Sequence, residues 1–324
     1  MERDCTKQHL LQHLLRLLFC LLIFVPDIFS KALQIRQLPT IAATAVIVFG
    51  DSTVDPGNNN YVKTVFRANF APYGQDFANQ VPTGRFSNGR LTTDFVASYI
   101  GIKESVPPYL DPTLSIDELL TGVSFASAGS GFDPLTPKNV IDIPKQLEYF
   151  KEYKKDWSLQ LERRRRKIIS RRQMFIVSAG TNDFVINYFT LPIRRKTYSI
   201  SGYQQLILQT ATQFVQEQEE SYSVDYLRWA ACPSLSPFSR TMPFQNVVVL
   251  IISPPLEDSH SFDEVSLGCC GTGYMETAIL CNPKSYLCPD ASKYVFWDSI
   301  HPTEQTYSNV FKSLRPIVDA VIRD

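Results

Sequence analysis

A serine near the start of the chain and a histidine near its end have the types and spacing that nucleophilic acyl transfer requires. Ser52 closes the run Val-Phe-Gly-Asp-Ser, and Asp298 stands three residues before His301. A hydroxyl, an imidazole and a carboxylate can act as nucleophile, base and orienting group. Two of the four histidines lie in an N-terminal segment that we expect to be removed, and His260 lacks the Asp-x-x-His context. We therefore predict that His301 is the base.

Short apolar runs alternate with helical patterns along the chain, which predicts a parallel sheet covered by helices on both faces. In such a sheet, functional groups gather at the carboxyl ends of the strands. Ser52 follows the first run, and Asn182 follows a later one. The predicted strands are 45–49, 123–125, 175–177 and 247–252, and the predicted helices are 147–161, 206–215 and 307–321, the last with a kink at Pro316.

The first 32 residues resemble a secretory signal peptide. Basic residues precede an apolar run at 17–25, and Ser30 and Ala32 are small residues at the two positions that a signal peptidase inspects. A short membrane anchor or a buried helix is the competing interpretation, although the run is short for a bilayer span. We expect cleavage to leave residues 33–324 as a single domain, located outside the cell or in the cell wall.

The charge composition gives no indication of a nucleic-acid partner. The chain has 32 basic and 32 acidic residues, so no global field attracts a polyanion. A basic run at 163–167 stands out, but it has no interleaved aromatic residues and no supporting fold motif. We interpret it as a solvated helix end and predict no nucleic-acid binding.

Four of the seven cysteines cluster near the carboxyl end of the chain, which agrees with an oxidising compartment. We expect two local disulfides whose pairing stays open, and Cys232 has no evident partner. Zinc is the competing interpretation; adjacent cysteines are awkward ligands of one tetrahedral metal, and no histidine lies among them. The clustered residues are Cys269, Cys270, Cys281 and Cys288.

Several separated segments, in order, resemble the plant GDSL esterase/lipases, a branch of the SGNH hydrolases. Gly-Asp-Ser alone would be weak evidence, whereas the ordered set is specific. The segments are 49–60 (FGDSTVDPGNNN), 84–90 (GRFSNGR), 122–131 (GVSFASAGSG), 178–183 (SAGTND), 268–271 (GCCG), 281–283 (CNP) and 298–302 (DSIHP).

This resemblance implies a flavodoxin-like three-layer α/β/α hydrolase with a mostly parallel central sheet and no metal or cofactor. Ser52 corresponds to the nucleophile, with Asp298 and His301 completing the catalytic set. The oxyanion donors correspond to the N–H groups of Ser52 and Gly129 and the side-chain amide of Asn182. The run 58–60, Asn-Asn-Asn, is expected to form structural hydrogen bonds behind the nucleophile.

Between Gln216 and Gly268 the sequence departs from the family pattern and is shorter. It offers one apolar run, 247–252, where the family has two strands. We therefore expect this run to stand for both strands, which leaves open the loss of one strand from the sheet. A sheet that lacks a strand exposes edges and apolar surface, so we expect a marginal fold.

Two functions follow from these observations. The first is a secreted serine hydrolase that cleaves carboxylic esters, of lipids or of acylated polymers, through an acyl-enzyme. The second is an impaired or truncated family member that acts at most as a binding protein. The first implies an ester as the partner molecule and no stable membrane span. The sequence leaves open the oligomeric state, the specificity for the acyl and alcohol groups, and whether the enzyme hydrolyses esters or transfers the acyl group to another alcohol.

Overall fold

The computed structural model describes residues 43–136, 139–163, 172–220, 226–231, 246–251 and 262–323. The predicted signal peptide, Cys232, His260 and most of the basic run therefore lie outside the described residues. Within those ranges, no helix has both the length and the apolar character needed to cross a membrane.

The described strands are interspersed with helices, as the apolar pattern predicts. The strands are β1 (Ala43–Gly50), β2 (Arg172–Ser178), β3 (Tyr226–Ala231), β4 (Asn246–Ile251), β5 (Glu264–Gly268) and β6 (Tyr294–Phe296). The α-helices are α1 (Thr92–Tyr99), α2 (Ile116–Leu120), α3 (Ile143–Arg163), α4 (Ile200–Glu220) and α5 (Glu304–Arg323). A π-helical segment covers Asp183–Thr190, and short 3-10 helices cover Asn58–Tyr61, Ala78–Gln80, Arg194–Lys196, Ala278–Leu280 and Ala291–Lys293.

The main sheet is parallel, with strand order β1-β2-β4-β3. The predicted strand at 123–125 is reduced to a parallel bridge between Ser124 and Val48, on the free side of β1. The Val48 N–H donates to the Val123 carbonyl at 3.1 Å, and Phe125 returns a bond to Val48 at 2.7 Å. The carboxyl end of β1 therefore lies between this segment and β2, which is where ligands bind in open parallel sheets.

Strand β1 is buried on both faces because helices cover both sides of the sheet. Ile47 and Phe49 face one side and pack with apolar residues of α3 and α4, including Phe150 and Phe214. Val46 and Val48 face the other side, in a cluster with residues of α1 and α5. The alternation produces the three-layer α/β/α arrangement that the family resemblance implies, so the fold prediction is confirmed.

The region between α4 and β5 corrects one prediction. The run 247–252 does not stand for two strands, because Tyr226–Ala231 forms a separate strand that pairs in parallel with Asn246–Ile251. The expectation of a marginal fold rested on the missing strand and therefore loses its basis.

A second, small sheet and two disulfides build the segment that leads to His301. Strands β5 and β6 pair in parallel, and the four clustered cysteines are joined as Cys269–Cys288 and Cys270–Cys281. The zinc interpretation is therefore wrong. Helix α5 begins directly after this segment, where the hydroxyl of Thr303 accepts the N–H of Thr306 at 3.2 Å, and it continues through Pro316.

Candidate active site

The turn that carries Ser52 is fixed by close contact with the neighbouring strand. Gly50 has a φ of +146°, and a side chain there would overlap the Ser178 carbonyl of β2. Gln146 of α3 holds Gly50 on both sides, accepting its N–H and donating to its carbonyl, each at 2.9 Å. The N–H of Asp51 donates to the Ser178 carbonyl at 2.9 Å. These bonds place Ser52 at the carboxyl end of β1.

Three N–H donors around this turn have no partner in the part of the chain that the structure describes. They are the backbone N–H of Ser52, the backbone N–H of Gly129, and one of the two amide hydrogens of Asn182. The other amide hydrogen of Asn182 is donated to the Ser130 carbonyl at 2.9 Å. Because the Ser130 hydroxyl donates to the Gly50 carbonyl at 2.7 Å, the same residue connects these groups to the turn.

Asp298 and His301 form a buried pair. The imidazole Nδ1 of His301 lies 2.9 Å from Oδ1 and 2.7 Å from Oδ2 of Asp298. Oδ1 also accepts the backbone N–H groups of Ile300 and His301, at 2.9 and 2.8 Å. Oδ2 also accepts the hydroxyls of Tyr73 at 2.6 Å and Thr277 at 3.3 Å. A carboxylate in this position fixes the imidazole with Nδ1 bound and Nε2 directed away.

The structure does not join Ser52 directly to this pair. Among the described residues, no hydrogen bond connects the Ser52 hydroxyl to the His301 imidazole. Both residues are 6% exposed, and the charge of His301 acts on Asp51, the residue before the serine. The His301 ring is held by Phe86, with ring centroids 4.6 Å apart. In unliganded sites, catalytic hydrogen bonds are often longer than in the substrate complex.

Two buried groups near Ser52 and the Asp298–His301 pair, called the dyad below, lack hydrogen-bond partners within the described ranges. Oδ2 of Asp51 and the hydroxyl of Tyr307 are both buried and unpaired within the described ranges. Burial raises the pKa of Asp51, although hydrogen bonds from Thr53 and the charge of His301 oppose the rise. Burial also raises the pKa of Tyr307, and the charges of Asp51 and Asp298 add to that rise.

The asparagine run 58–60 lies behind the nucleophile and has a structural role, as predicted. Its amides donate to the main-chain carbonyls of Ser124, Ala126, Phe66, Ala128 and Thr83, at 2.7 to 2.9 Å. Asp55 supports the same loop by accepting the N–H groups of Gly57, Asn58 and Ala128, at 2.8, 2.7 and 2.9 Å. Burial raises the pKa of Asp55 to about 6, against these hydrogen bonds.

The segment after Asn182 is anchored by two carboxylates. Asp183 accepts the N–H groups of Phe132 and Asp133, at 2.9 and 3.0 Å, and burial raises its pKa to about 6. Asp133 receives two bonds of 2.7 Å from Arg194 and one of 2.7 Å from Tyr203. Burial would raise the pKa of Asp133, but these partners outweigh it, so the pKa lies below its usual value.

Residues 46–254 match the family described as GDSL-like Lipase/Acylhydrolase. The chain belongs to this family. Relatives in Arabidopsis thaliana extend the similarity over most of the chain. GDSL esterase/lipase At5g45960 is 49% identical over 331 aligned residues, covering 87% of this chain and 88% of the relative. GDSL esterase/lipase At2g42990 is 40% identical over 309 aligned residues, covering 81% and 87%. GDSL esterase/lipase EXL3 is 39% identical over 317, covering 84% and 87%.

Three contributors to this GDSL site are absent from the sequence predictions. Gln146 bridges both polar groups of Gly50, Asp55 gathers three loop N–H groups, and Tyr73 donates to Asp298. Asp55 lies inside the family-like segment 49–60, so the sequence could have indicated it as a candidate site residue. Gln146 and Tyr73 act across 96 and 225 residues of sequence, and no local pattern around them indicates those contacts.

Proposed function

We propose that this GDSL family member is a serine hydrolase that cleaves carboxylic esters through an acyl-enzyme. The proposal is supported by two arrangements, which lie close enough for the charge of His301 to act on Asp51, the residue before the serine. A buried carboxylate holds an imidazole, and Ser52 lies among N–H donors without partners within the described ranges. The esterase/lipase names of the relatives support the same activity.

The reaction begins when His301 Nε2 removes the proton from the Ser52 hydroxyl. The oxygen attacks the ester carbonyl carbon, and the negative charge on the carbonyl oxygen is stabilised by the N–H groups of Ser52 and Gly129 and the amide of Asn182. Collapse of this intermediate breaks the carbon–oxygen bond, and the alcohol leaves with the proton from His301. Each oxyanion donor contributes roughly 3 kcal/mol to such a transition state.

The second half of the cycle releases the acid and restores the serine. His301 removes a proton from water, and the hydroxide oxygen attacks the acyl carbon. The same donors stabilise the second oxyanion, and its collapse returns the proton to Ser52. Asp298 stays ionised throughout and stabilises the imidazolium that forms in each half. An alcohol in place of water would give acyl transfer at the same site.

We also propose that the protein is exported and acts outside the cell or in the cell wall on lipid or polymer esters. The signal-like segment at 1–32 supports export, and residues 33–324 then form the mature single domain. Two disulfides support an oxidising compartment. Intact-mass analysis of secreted protein should give a mature chain that begins near Leu33, and a retained segment would contradict export.

Turnover of a short-chain p-nitrophenyl ester tests the hydrolase proposal. We expect Ser52→Ala to reduce kcat by roughly 10⁴-fold or more, to the level left by the oxyanion donors and substrate binding. Ser98→Ala is the matched control, because Ser98 is a surface serine whose hydroxyl bonds Glu104. Turnover that survives in Ser52→Ala would contradict the mechanism. Ester binding without turnover in the wild type would favour the binding-protein alternative.

A further inference from the structure

The carboxylate of Asp298 has more donors than an orienting group needs to hold one imidazole. It is fully buried, and each oxygen accepts bonds from outside the ring as well as from Nδ1. The shortest of them, at 2.6 Å, comes from the hydroxyl of Tyr73 and ends on Oδ2. This oxygen also makes the shorter of the two contacts with the imidazole, at 2.7 Å. Tyr73 therefore acts on the side of the carboxylate that holds His301 most closely.

Tyr73 is itself held in one orientation. Its side chain is 1% exposed and makes edge-to-face contacts with Phe70 and Phe86, each with centroids 5.7 Å apart. Phe86 also contacts the His301 ring, so one aromatic side chain contacts two of the partners of Asp298. The backbone is fixed next to the ring, since the N–H of Gly74 donates to the Ser87 carbonyl at 2.9 Å.

We propose that Tyr73 is a positioning residue for the ester hydrolysis described above: its hydroxyl fixes the plane of the Asp298 carboxylate and limits how strongly that carboxylate attracts a proton onto His301. The proposal rests on the proposed function. Thr277 supplies a weaker donor, at 3.3 Å, to the same oxygen. Tyr73 lies 225 residues from Asp298 in sequence, and it makes no contact with the expected oxyanion site among the described hydrogen bonds.

The chemistry of both groups suits this role. Burial raises the pKa of Tyr73 and the charge of Asp298 raises it further, so the phenol stays protonated and donates at every working pH. Burial would raise the pKa of Asp298, but His301 and then Tyr73 outweigh it and keep the carboxyl ionised. A donor that takes up part of the carboxylate charge reduces the attraction of that charge for an imidazolium.

Tyr73→Phe tests the proposal because it removes the hydroxyl and keeps the ring. We expect kcat for a p-nitrophenyl ester to fall roughly tenfold with little change in KM, the size expected for loss of one charge-assisted hydrogen bond. We expect the acid limb of kcat/KM to move to higher pH, because the carboxylate then attracts a proton onto the imidazole more strongly. Among the described residues, the ionisable groups Asp51 and Tyr307 also interact with the Asp298–His301 pair, and both are the same in the variant.

Tyr153→Phe is the matched control. Tyr153 is a buried tyrosine of α3, in a different apolar cluster from Tyr73, and its hydroxyl also makes a 2.6 Å bond, to the neutral carbonyl of Leu119. We expect this variant to lose thermal stability without any change in the pH profile. A pH shift of equal size in both variants would overturn the proposal, because it would reflect loosened packing.

The outcomes separate this proposal from the one on which it rests. Ser52-dependent turnover in the wild type, with unchanged kcat and pH profile in Tyr73→Phe, would overturn the role of Tyr73 and leave the hydrolase intact. A wild type without Ser52-dependent turnover would overturn both. If Tyr73→Phe does not fold, Thr277→Val is tested in its place. Thr277→Val should move the acid limb of kcat/KM in the same direction by a smaller amount, and an unmoved limb would overturn the proposal.

Discussion

The candidate site has two sides, the serine side around Ser52 and the carboxylate side around Asp298, and they differ in whether their hydrogen-bonding groups have partners. Around Ser52, three N–H groups point to no partner within the described ranges. Around Asp298, both carboxylate oxygens are saturated by backbone, hydroxyl and imidazole donors. The difference follows from when the charge exists. In the proposed mechanism, the oxyanion appears only during the reaction and needs donors kept free for it, whereas the carboxylate is charged at all times and needs its donors in place.

The two sides are also held by different means. The serine turn is fixed by side chains that bond the main chain of distant loops, as Gln146 does at Gly50 and the asparagine run does at 124–128. The dyad is fixed by a small two-stranded sheet and by two disulfides. A peptide unit whose carbonyl already accepts a hydrogen bond cannot rotate that carbonyl into the oxyanion position. The bonds around the serine turn therefore keep the unpaired N–H groups available.

After removal of the nucleophile itself, the largest expected effect comes from neutralising the carboxylate of the Asp298–His301 dyad. Asp298→Asn should lower kcat by roughly 10³- to 10⁴-fold, because an amide holds the imidazole in the wrong tautomer. Asp290→Asn is the control, since Asp290 is an exposed residue that only caps a short helix. Steady-state kinetics of both variants is the measurement. Loss of less than tenfold in Asp298→Asn would mean that the saturated side does not orient the base.

On the serine side, removal of a free donor should have the next largest effect. Asn182→Ala should lower kcat by about 10²- to 10³-fold with a small change in KM, because the donor acts on charge that forms in the transition state. Asn187→Ala serves as a control on the π-helical segment that follows Asn182. The buried amide of Asn187 bonds Thr136 at 3.1 Å, and its loss should affect stability alone. Equal kinetic losses in both variants would assign the Asn182 effect to disrupted structure.

The smallest expected effect concerns the buried charge that anchors the Asn182 segment. Arg194→Gln removes the charged partner of Asp133 and should lower the free energy of unfolding at pH 7 by about 1.5–3 kcal/mol, the range for a hydrogen bond to a charged group. The lowered pKa of Asp133 gives stability that is present above about pH 4 and lost as pH falls through the folded-state pKa. The difference between wild type and variant should therefore shrink as pH falls below about 4.

Urea unfolding across this pH range measures the difference. Lys145→Gln is the control, because its pair with Glu148 is solvent-exposed and should contribute nothing measurable. The wild type and Arg194→Gln should differ less in free energy of unfolding at low pH. If the difference instead stays constant down to low pH, Asp133 does not depend on Arg194 for its charge.

The sequence predicts those parts of the fold whose signal is local. Strands β1, β2 and β4 are short, strongly apolar runs, and helices α3 to α5 repeat apolar residues at helical spacing. Strand β3 is missed because Arg228 and Trp229 interrupt any simple pattern, and its pairing with β4 is a contact that propensity does not encode. The π-helical segment Asp183–Thr190 is missed because it is too short for apolar residues to repeat at helical spacing.

The candidate site divides in the same way. Ser52, Gly129, Asn182, Asp298 and His301 lie in segments that resemble a family, so the sequence indicates them together. Tyr73 has no such signal, since its role depends on a hydroxyl that meets a carboxylate 225 residues later. The disulfide pairing depends likewise on the folded path of the loop, because the spacing of four cysteines allows more than one connectivity.

The most direct test of the central claim is to locate the covalent adduct of a fluorophosphonate by peptide mapping of the purified protein. This reagent needs a serine activated by a base, and its phosphoryl oxygen occupies the position of the oxyanion. We predict one adduct, on Ser52, formed rapidly in the wild type and much more slowly in His301→Ala. An adduct on another serine, or none on Ser52 in folded protein, would contradict the account of the two sides as one catalytic site.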